Sequence, residues 1–496
     1  MEIQSPTVGR ELPLSEGKNS QLHTGKVGAL PVGAARPLGS YGGVRAGGAS
    51  ALLVALLSPF ALLTSGWVQR VLLAVVVLDI PIQFGTHFFY RESDAARGAL
   101  GGLSISAATI ALAGLYAAWI ISALVNRDPG ARASLRFSVP LLFYFAVTTV
   151  SVAVAEDSSL AAFQVFLLFE TSLLYFYVAN NVRTRKDALF VISTLLAGCF
   201  VESLVIIVMK FTVTQATTWN LPIHIHGELG KEGLMRSGGT IGTPNTAAAY
   251  LSLLLAPAAS FLFVNLGRAY RMLAGAVLAL GGIALILTLS RGGWVAFALS
   301  ATALCFFVWR RRGLSLKTPI VIVVVAALLI FPFHSLISTR LLGDDKGSAE
   351  SRIPLMRLAL RITEDHPLLG VGANNFTIVM DRYLTAEFRS GFLYAVHNTF
   401  LLILAETGIF GLLSYLAFLV GALRAGWQCW KLEEGFFSMI ALAFAVALAA
   451  HMVQMSVDIF NDSPIAHLVF LIAGLLTAIH RLCITRPFAE TAPGIA

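Results

Sequence analysis

The sequence carries little charge for its length. Asp, Glu, Lys and Arg make up 12% of the 496 residues, whereas 57% are hydrophobic. A soluble chain normally has about twice that share of charged residues, so this composition excludes an ordinary soluble enzyme. The formal net charge of +8 does not indicate nucleic-acid binding, because the basic residues are scattered in short segments between hydrophobic runs. The composition therefore predicts a polytopic membrane protein.

Cysteine is also scarce. The four cysteines, Cys199, Cys305, Cys429 and Cys483, lie in or beside hydrophobic runs, and none falls in the two long polar segments. This distribution differs from that of small secreted domains that are held together by several bridges. We therefore expect no disulfide framework.

The hydrophobic runs predict an all-α fold. A helix needs about 20 mostly hydrophobic residues to cross the hydrocarbon core. The candidate runs are 50–65, 70–87, 103–125, 138–155, 159–179, 188–212, 246–265, 272–290, 293–309, 318–336, 397–423, 435–456 and 464–482. The first is short and contains Pro59, so we expect it to be re-entrant or interfacial. About twelve transmembrane helices remain, within a membrane domain at residues 49–484.

The basic segments predict the orientation of these helices. Lys and Arg favour cytoplasmic loops, and one orientation places the segments 126–137, 180–187, 267–271, 310–317 and 424–431 together in the cytoplasm. The two long polar loops, 213–245 and 337–396, then lie on the outer side, the second of them before the eleventh candidate run. Residues 1–48 lack a hydrophobic period and predict a disordered cytoplasmic tail, and 485–496 form a cytoplasmic C-terminal tail.

Unusual polar residues occur in four segments of the outer side. The segments are 235–250, 288–297, 348–376 and 395–411, and they contain Asn245, Arg291, Arg352, His397 and Asn398. Arg291 is the only charge between two hydrophobic runs. An arginine on the outer side opposes the positive-inside bias, which favours a functional role over simple anchoring.

Residues 351–366 predict an amphipathic helix that ends before Pro367. At about 100° per residue, Arg352 and Arg357 lie about 140° apart on this helix and do not form one cationic face. Arg357 is compatible with substrate binding, and also with a solvated or ion-paired side chain. The next segment, GVGANNF (370–376), predicts a tight turn in which Gly372 lets the backbone approach a ligand closely.

Glu406 lies about two and a half turns into the run that starts at His397. A carboxyl group is costly in lipid, so this side chain should face the interior of the helix bundle. The sequence leaves open whether it binds substrate or stabilises the bundle. Asp79, Glu170, Glu202 and Asp458 are similar acids without a motif, and we interpret them as polar contacts between helices.

Arginines beside a membrane suggest a lipid-linked phosphate or diphosphate as the ligand. A guanidinium group is permanently charged and matches phosphate oxygens. His397 can accept a proton near neutral pH. Together they suggest that His397 deprotonates an acceptor hydroxyl, which attacks a sugar carbon whose diphosphate leaving group the arginines neutralise. Because cationic side chains can stabilise that leaving group, we expect neither a metal nor another cofactor.

These segments resemble a known family. His397-Asn398, nine further residues, Gly408, two residues and Gly411 resemble the His-Asn-x9-Gly-x2-Gly signature of bacterial O-antigen ligases. The segments SRGGW, DHPLLGVGANNF and GTPNTAAAY are similar to other recurring segments of the O-antigen ligase and polymerase superfamily. Some members have a second histidine two residues before the first, where this chain has Ala395.

The resemblance implies a metal-independent enzyme of a bacterial inner membrane with its active face in the periplasm. The enzyme would move a glycan from undecaprenyl diphosphate to lipid A-core, as a ligase, or to another glycan, as a polymerase. Arg291 and Arg352 would hold the diphosphate and His397 would act as the base. From the same outer segments we add Asn245, Asn398, Arg357, Gly372 and Glu406 as candidate substrate-binding residues.

The signature favours the ligase, and two functions of other classes compete with it. A secondary transporter often shows repeated halves and broken helices near the middle of the membrane, whereas the unusual residues of this chain gather on one side. A non-catalytic scaffold of an envelope-assembly complex is the other alternative. It predicts that replacing Arg291 or His397 leaves glycan attachment intact.

Overall fold

The computed structural model describes residues 65–125, 136–212, 226–229, 234–312, 331–342, 352–385, 393–432 and 435–485. Several predicted segments lie outside these residues. They are the N-terminal tail, nearly all of the run 50–65, most of the run 318–336, about half of the loop 213–245, part of the loop 337–396 and nearly all of the C-terminal tail.

The described part of the chain is largely helical. Its α-helices are α1 (Gly66–Ile82), α2 (Glu92–Ala96), α3 (Ala107–Val125), α4 (Val139–Ser151), α5 (Ser158–Asn181), α6 (Arg185–Thr212), α7 (Pro244–Ser260), α8 (Arg268–Leu287), α9 (Arg291–Arg312), α10 (His334–Leu342), α11 (Arg352–Asp365), α12 (Phe376–Val379), α13 (Thr399–Leu432), α14 (Phe436–Met455) and α15 (Ser463–Thr485). Short 3-10 helices occur at Val152–Val154, Phe331–Phe333 and Met380–Tyr383.

Among the described helices, eight are long and hydrophobic enough to cross a membrane. This finding confirms a polytopic helical membrane protein. Three shorter helices, α1, α4 and α7, coincide with further predicted runs. The total of twelve stays a prediction, because most of one run lies outside the described residues.

Two small antiparallel hairpins add to the helices. Strand β1 (Gly85–Phe88) pairs with β2 (Leu103–Ser106), and β3 (His226–Leu229) pairs with β4 (Met235–Gly239). The prediction was wrong at the ends of the runs 70–87 and 103–125, where hydrophobicity alone does not distinguish strand from helix. The pairing of β3 with β4 presents residues 235–239 to the start of α7.

The starts of several helices follow from local capping. The side chain of Asp157 accepts hydrogen bonds from the backbone N–H groups of Ser159 and Leu160 at the start of α5. Thr243 caps α7 in the same way, and Pro244 takes the first helical position, where its missing N–H is not needed. These caps fix where the helices begin at the end of the bundle that carries the polar segments.

Helices α7 and α14 lie in the centre of the bundle and are buried on nearly all sides. Both are rich in alanine, and small side chains let neighbouring backbones approach closely. A helix that is hydrophobic all round is expected to be buried in this way. The two central helices therefore provide a rigid support for the residues at their ends.

The segments that connect the helices lie at two opposite ends of the bundle. The end that carries the predicted outer segments is here called the outer end. It joins residues 83–107, 234–244, 352–385, 393–399 and 456–463, for example through a hydrogen bond from Gln83 to the carbonyl of Ile241 (2.9 Å). The other end, here called the basic end, joins the segments predicted to be cytoplasmic. Its contacts include Arg136 N to Asn180 Oδ1, Arg481 to the carbonyl of Val182, and Arg311 to the carbonyl of Trp430.

One cysteine pair departs from the expectation. Cys429 and Cys483 form a disulfide between α13 and α15, whereas Cys199 and Cys305 are free. The two bonded residues are 54 positions apart in sequence, so their proximity depends on the packing of the two helices and could not be read from spacing.

Candidate functional site

A cavity of about 420 Å³ opens at the outer end, and we call it the arginine cavity. Its lining consists of Arg236, Asn245, Ser290, Arg291, Gly292, Val295, Ala296, Arg340, Arg352, Val453, Gln454, Val457 and Asp458. These residues come from β4, from the ends of α7, α9, α10, α11 and α14, and from the connections before α9 and after α14. The site is thus assembled from segments that are distant in sequence.

Four arginines dominate the charge of this cavity. Arg236 extends from β4, Arg291 and Arg352 are the first residues of α9 and α11, and Arg340 lies near the end of α10. Among the lining residues that the structure describes, Asp458 carries the one carboxylate, so the formal charge of this described lining is +3. A partly enclosed cavity with this charge favours an anionic ligand.

Hydrogen bonds to the protein orient three of these guanidinium groups. Arg236 donates from Nε to the carbonyl of Thr288 (3.2 Å) and from Nη2 to Oδ1 of Asn245 (2.7 Å). The arginines of α10 and α11 donate to carbonyls of other helix ends: Arg340 to Leu289 (3.0 Å) and Arg352 to Val457 (2.7 Å). The predicted residue Asn245 therefore lines the cavity and also positions an arginine.

The loop after α14 holds Asp458 against the start of α13. Its backbone carbonyl accepts hydrogen bonds from the N–H (3.1 Å) and the hydroxyl (3.0 Å) of Thr399. The hydroxyl of Thr399 in turn accepts from the N–H of Phe460 (3.0 Å). This arrangement ties the arginine cavity to the segment that contains His397.

His397 lies just before α13, beside the arginine cavity rather than in its lining. Its ring is half-buried, and the ring of Tyr394 packs against it at 5.4 Å between centroids. Burial, followed by the positive charge of Arg352, lowers the pKa of His397 to about 4, although the backbone of Ala395 acts in the opposite direction. The ring is therefore neutral at pH 7 and able to accept a proton.

The Nδ1 atom of His397 is buried and makes no hydrogen bond of normal geometry within the described part of the chain. The neighbouring Asn398 has a structural contact instead, because its Oδ1 accepts from the N–H of Leu401 (3.0 Å) and caps α13. The two residues of the His-Asn pair thus have different roles: His397 provides a buried imidazole, and Asn398 caps a helix.

The structure places three other predicted substrate-binding residues away from the arginine cavity. Arg357 is on the exposed side of α11. Gly372 has φ +97° and packs against Ala155. Glu406 accepts a hydrogen bond from the N–H of Phe376 (3.2 Å) and borders a second, smaller cavity. The contacts of Gly372 and Glu406 belong to the packing of the 366–376 loop.

Gly408 explains how this loop docks on α13. The helix is broken at Gly408 (φ 66°, ψ −169°), so the carbonyls of Ala405 and Glu406 are available to neighbours. They accept hydrogen bonds from the N–H groups of Val371 and Gly372, both at 3.0 Å. The first glycine of the His-Asn-x9-Gly-x2-Gly pattern therefore serves loop docking.

We expect Gly408→Ala to destabilise the protein. The backbone conformation is nearly exclusive to glycine and costs other residues about 1–3 kcal/mol, and a Cβ would overlap the carbonyl of Leu368. Thermal unfolding of the purified protein in detergent should show a clear loss of stability. Gly421→Ala, in the same helix but with nothing within 4 Å of an added Cβ, is the matched control. Equal stability of the two variants would contradict this role.

The two asparagines of GVGANNF also have structural partners. Asn374 bonds both backbone groups of Leu100 (2.7 and 2.9 Å), and Asn375 bonds both backbone groups of Asp157 (2.7 and 3.0 Å). The loop thereby connects the β1–β2 region, the start of α5 and α13. These contacts hold α11, and with it Arg352, at the outer end.

Sequence reasoning missed four residues of the cavity: Arg236, Arg340, Gln454 and Asp458. Arg236 lies in the segment 235–250, which was chosen for Asn245, and the outer-side arginine argument used for Arg291 would have selected it. Asp458 had been interpreted as a contact between helices. Gln454 ends a hydrophobic run, and no sequence pattern distinguishes it from an ordinary interfacial amide.

The fold and the site together define a multi-pass helical membrane protein with a cationic cavity at one end. Residues 274–416 match the family model described as O-antigen ligase. The matched segment runs from α8 to α13 and contains Arg291, Arg340, Arg352 and His397. It supports the placement of this chain in the O-antigen ligase-related superfamily, and the family implies an enzyme of O-antigen processing. No curated protein matches the chain.

Proposed function

We propose that the protein transfers a glycan from undecaprenyl diphosphate to an acceptor hydroxyl, as an O-antigen ligase with lipid A-core as the acceptor. The observation that carries the proposal is the arginine cavity, with Arg291 and Arg352 in its lining and His397 beside it. The family match implies lipid-linked glycan and acceptor partners in general. The identity of donor and acceptor is the proposed part.

The arginines would bind the diphosphate of the donor. Each phosphate oxygen accepts hydrogen bonds, and the planar guanidinium group can offer two parallel N–H donors. In the described lining, four such groups accompany one carboxylate, that of Asp458, and this composition supports a ligand with more than one negative charge. Charge held by arginine side chains supports metal-independent transfer.

The reaction forms one carbon–oxygen bond and breaks another. The acceptor hydroxyl oxygen attacks the anomeric carbon of the sugar next to the diphosphate, and its proton passes to His397. The bond between that carbon and the diphosphate oxygen breaks, and its electron pair leaves with undecaprenyl diphosphate. Arg291 and Arg352 would stabilise the charge on the leaving oxygen, and the proton on His397 then passes to solvent.

Charge distribution supports an active face in the periplasm. The basic end carries the segments rich in Lys and Arg, including Arg185, Arg311 and Arg481. Such residues favour the cytoplasmic side of a bacterial inner membrane. The arginine cavity is at the opposite end of the bundle, where periplasmic lipid-linked glycans would reach it.

An assay with two acceptors tests this function. The purified protein would be incubated with undecaprenyl-diphosphate-linked glycan and lipid A-core, and products would be separated by gel electrophoresis. We expect glycosylated lipid A-core and released undecaprenyl diphosphate. Longer lipid-linked glycan without modified lipid A-core would refute the ligase and support a polymerase. An unchanged donor would refute transfer altogether.

The low pKa of His397, about 4, predicts an unusual pH profile. Since the base acts as the neutral ring, kcat/KM should stay level from pH 8 down to about 5 and fall as the pH approaches 4, not near the ordinary value of about 6.5. Folding stability should also decrease from about pH 6.5 toward 4, because the unfolded chain binds the proton more readily. Initial transfer rates, with unfolding measured at each pH, check this. An acidic limb near pH 6.5 in folded protein would contradict it.

A further inference from the structure

The lining of the arginine cavity includes a buried amide that has no hydrogen-bond partner among the described residues. Gln454, near the end of α14, is 2% exposed and lines the cavity. Neither Oε1 nor Nε2 makes a hydrogen bond within the part of the chain that the structure describes. Its side chain lies against the first turn of α9, since a Cβ built on Gly292 would be 3.5 Å from its Cγ.

His451 lies one turn earlier on α14, behind Gln454. It is fully buried, and its ring packs against Phe460 at 4.9 Å between centroids. Gln454 is beside this ring, but no hydrogen bond of normal geometry joins them, and both ring nitrogens lack a partner among the described residues. Two adjacent polar side chains are thus buried with unused hydrogen-bonding capacity.

Buried polar groups without partners are rare because they cost free energy. A ligand that enters the cavity can supply the missing partner. The chemistry of Gln454 narrows the class of this ligand, because the amide offers two donors at Nε2 and an acceptor at Oε1. Phosphate oxygens that carry the negative charge can only accept, so they leave Oε1 without a donor. A hydroxyl group both donates and accepts.

The size of the cavity is compatible with more than a diphosphate. Its volume of about 420 Å³ is within the range of about 300–1,000 Å³ that small-molecule sites occupy. The four arginines provide donors for an anion, whereas Gln454 provides a matched pair of donor and acceptor for a neutral polar group. The lining therefore suits a ligand in which hydroxyl groups adjoin a diphosphate.

We propose that Gln454 binds a hydroxyl group of a sugar in the arginine cavity. This inference rests on the proposed function, and it gives Gln454 the role of a specificity-determining residue that recognises sugar rather than charge. The hydroxyl belongs to the donor sugar attached to the diphosphate or to the acceptor sugar. Both carry the same chemistry, and the experiment below separates them.

The test compares full-length wild type with Gln454→Leu in lipid nanodiscs. Leucine keeps much of the volume and removes the amide. Binding would be measured for undecaprenyl diphosphate alone and for undecaprenyl diphosphate that carries the glycan. If the donor sugar is the ligand, we expect about tenfold weaker binding of the glycan-bearing lipid and unchanged binding of the bare lipid. Gln164→Leu, which alters the separate small cavity, is the matched control.

The second part of the test measures the kinetics of glycan transfer. If the acceptor sugar is the ligand, Gln454→Leu should raise the KM for the acceptor about tenfold, with donor binding unchanged. In either arm the unfolding temperature of the ligand-free variant should be unchanged or higher, because leucine removes buried polar atoms that have no partner. A purely structural role of Gln454 predicts the opposite, a less stable protein.

Two results would overturn the inference while leaving the proposed function intact. One is wild-type affinity for both lipids together with a wild-type acceptor KM, which is expected if ordered water satisfies the amide. The other is an equal loss of affinity for both lipids in a destabilised protein. Failure of the proposed function looks different, because wild-type protein itself would then bind neither lipid.

Discussion

Replacing Arg291 with alanine should reduce the rate of glycan transfer about 10²–10³-fold, and Arg352→Ala should have an effect of the same size. Both side chains line the arginine cavity from the first residues of their helices. Removing a donor aimed at charge that develops in the transition state typically costs this factor. The loss should appear in kcat with purified protein and saturating lipid-linked donor.

Matched controls separate this effect from a general loss of positive charge. Arg310 is an exposed residue at the other end of α9, and Arg361 lies on α11 outside the cavity lining. Alanine at either position should leave kcat within about twofold of wild type, since solvent and salt screen charges that lie outside the cavity. Equal losses in all four variants, or wild-type activity of Arg291→Ala, would contradict the assigned role and favour a non-catalytic scaffold.

His397→Ala should lower kcat about 10²–10⁴-fold, the usual contribution of a general base. Donor binding should persist, because the arginine cavity does not include His397 in its lining. Single-turnover transfer and equilibrium binding of the lipid-linked donor, measured on the same preparation, distinguish a loss of chemistry from a loss of affinity.

The control for this variant is His334→Ala, which removes an exposed histidine at the start of α10. It should transfer glycan at the wild-type rate and unfold at the wild-type temperature. If His397→Ala keeps more than about a tenth of wild-type kcat, the histidine is not the base. If it instead loses donor binding with transfer intact at high donor concentration, its role is binding.

Much of the fold could be predicted because a helix that crosses a lipid bilayer needs a long run of hydrophobic residues. Runs of hydrophobic residues marked the helices, and the distribution of Lys and Arg grouped the segments that the structure joins at the basic end. The errors were local. Strands β1 and β2 took the ends of two hydrophobic runs, and the Cys429–Cys483 disulfide depends on helix packing that spacing does not reveal.

The candidate site could be predicted only in part. Arg291, Arg352 and Asn245 were chosen for their chemistry and position, and they line one cavity with Arg236 and Arg340. The glycines of the His-Asn-x9-Gly-x2-Gly pattern were harder to interpret. A glycine pattern indicates an unusual backbone conformation, but it does not show whether that conformation is needed for ligand contact or for packing. Gly408 is the clearest example, since its φ of 66° permits loop docking rather than ligand contact.

The other residues of the site could not be predicted because they lie far apart in sequence. Gln454 and Asp458 enter the cavity because the end of α14 reaches the starts of α9 and α13. No local sequence pattern predicts that these helix ends lie close together. Gln454 and His451 have buried polar atoms without partners in the described part of the chain, and this property can be recognised only from the positions of the surrounding atoms.

The binding of the donor diphosphate by Arg291 and Arg352 can be seen in a structure of the protein in lipid nanodiscs with undecaprenyl-diphosphate-linked glycan. We expect both phosphates in the arginine cavity, within hydrogen-bond distance of Arg291 and Arg352, with the anomeric carbon on the side of His397. Density for the diphosphate at the basic end, or at the outer end but outside the arginine cavity, would contradict it.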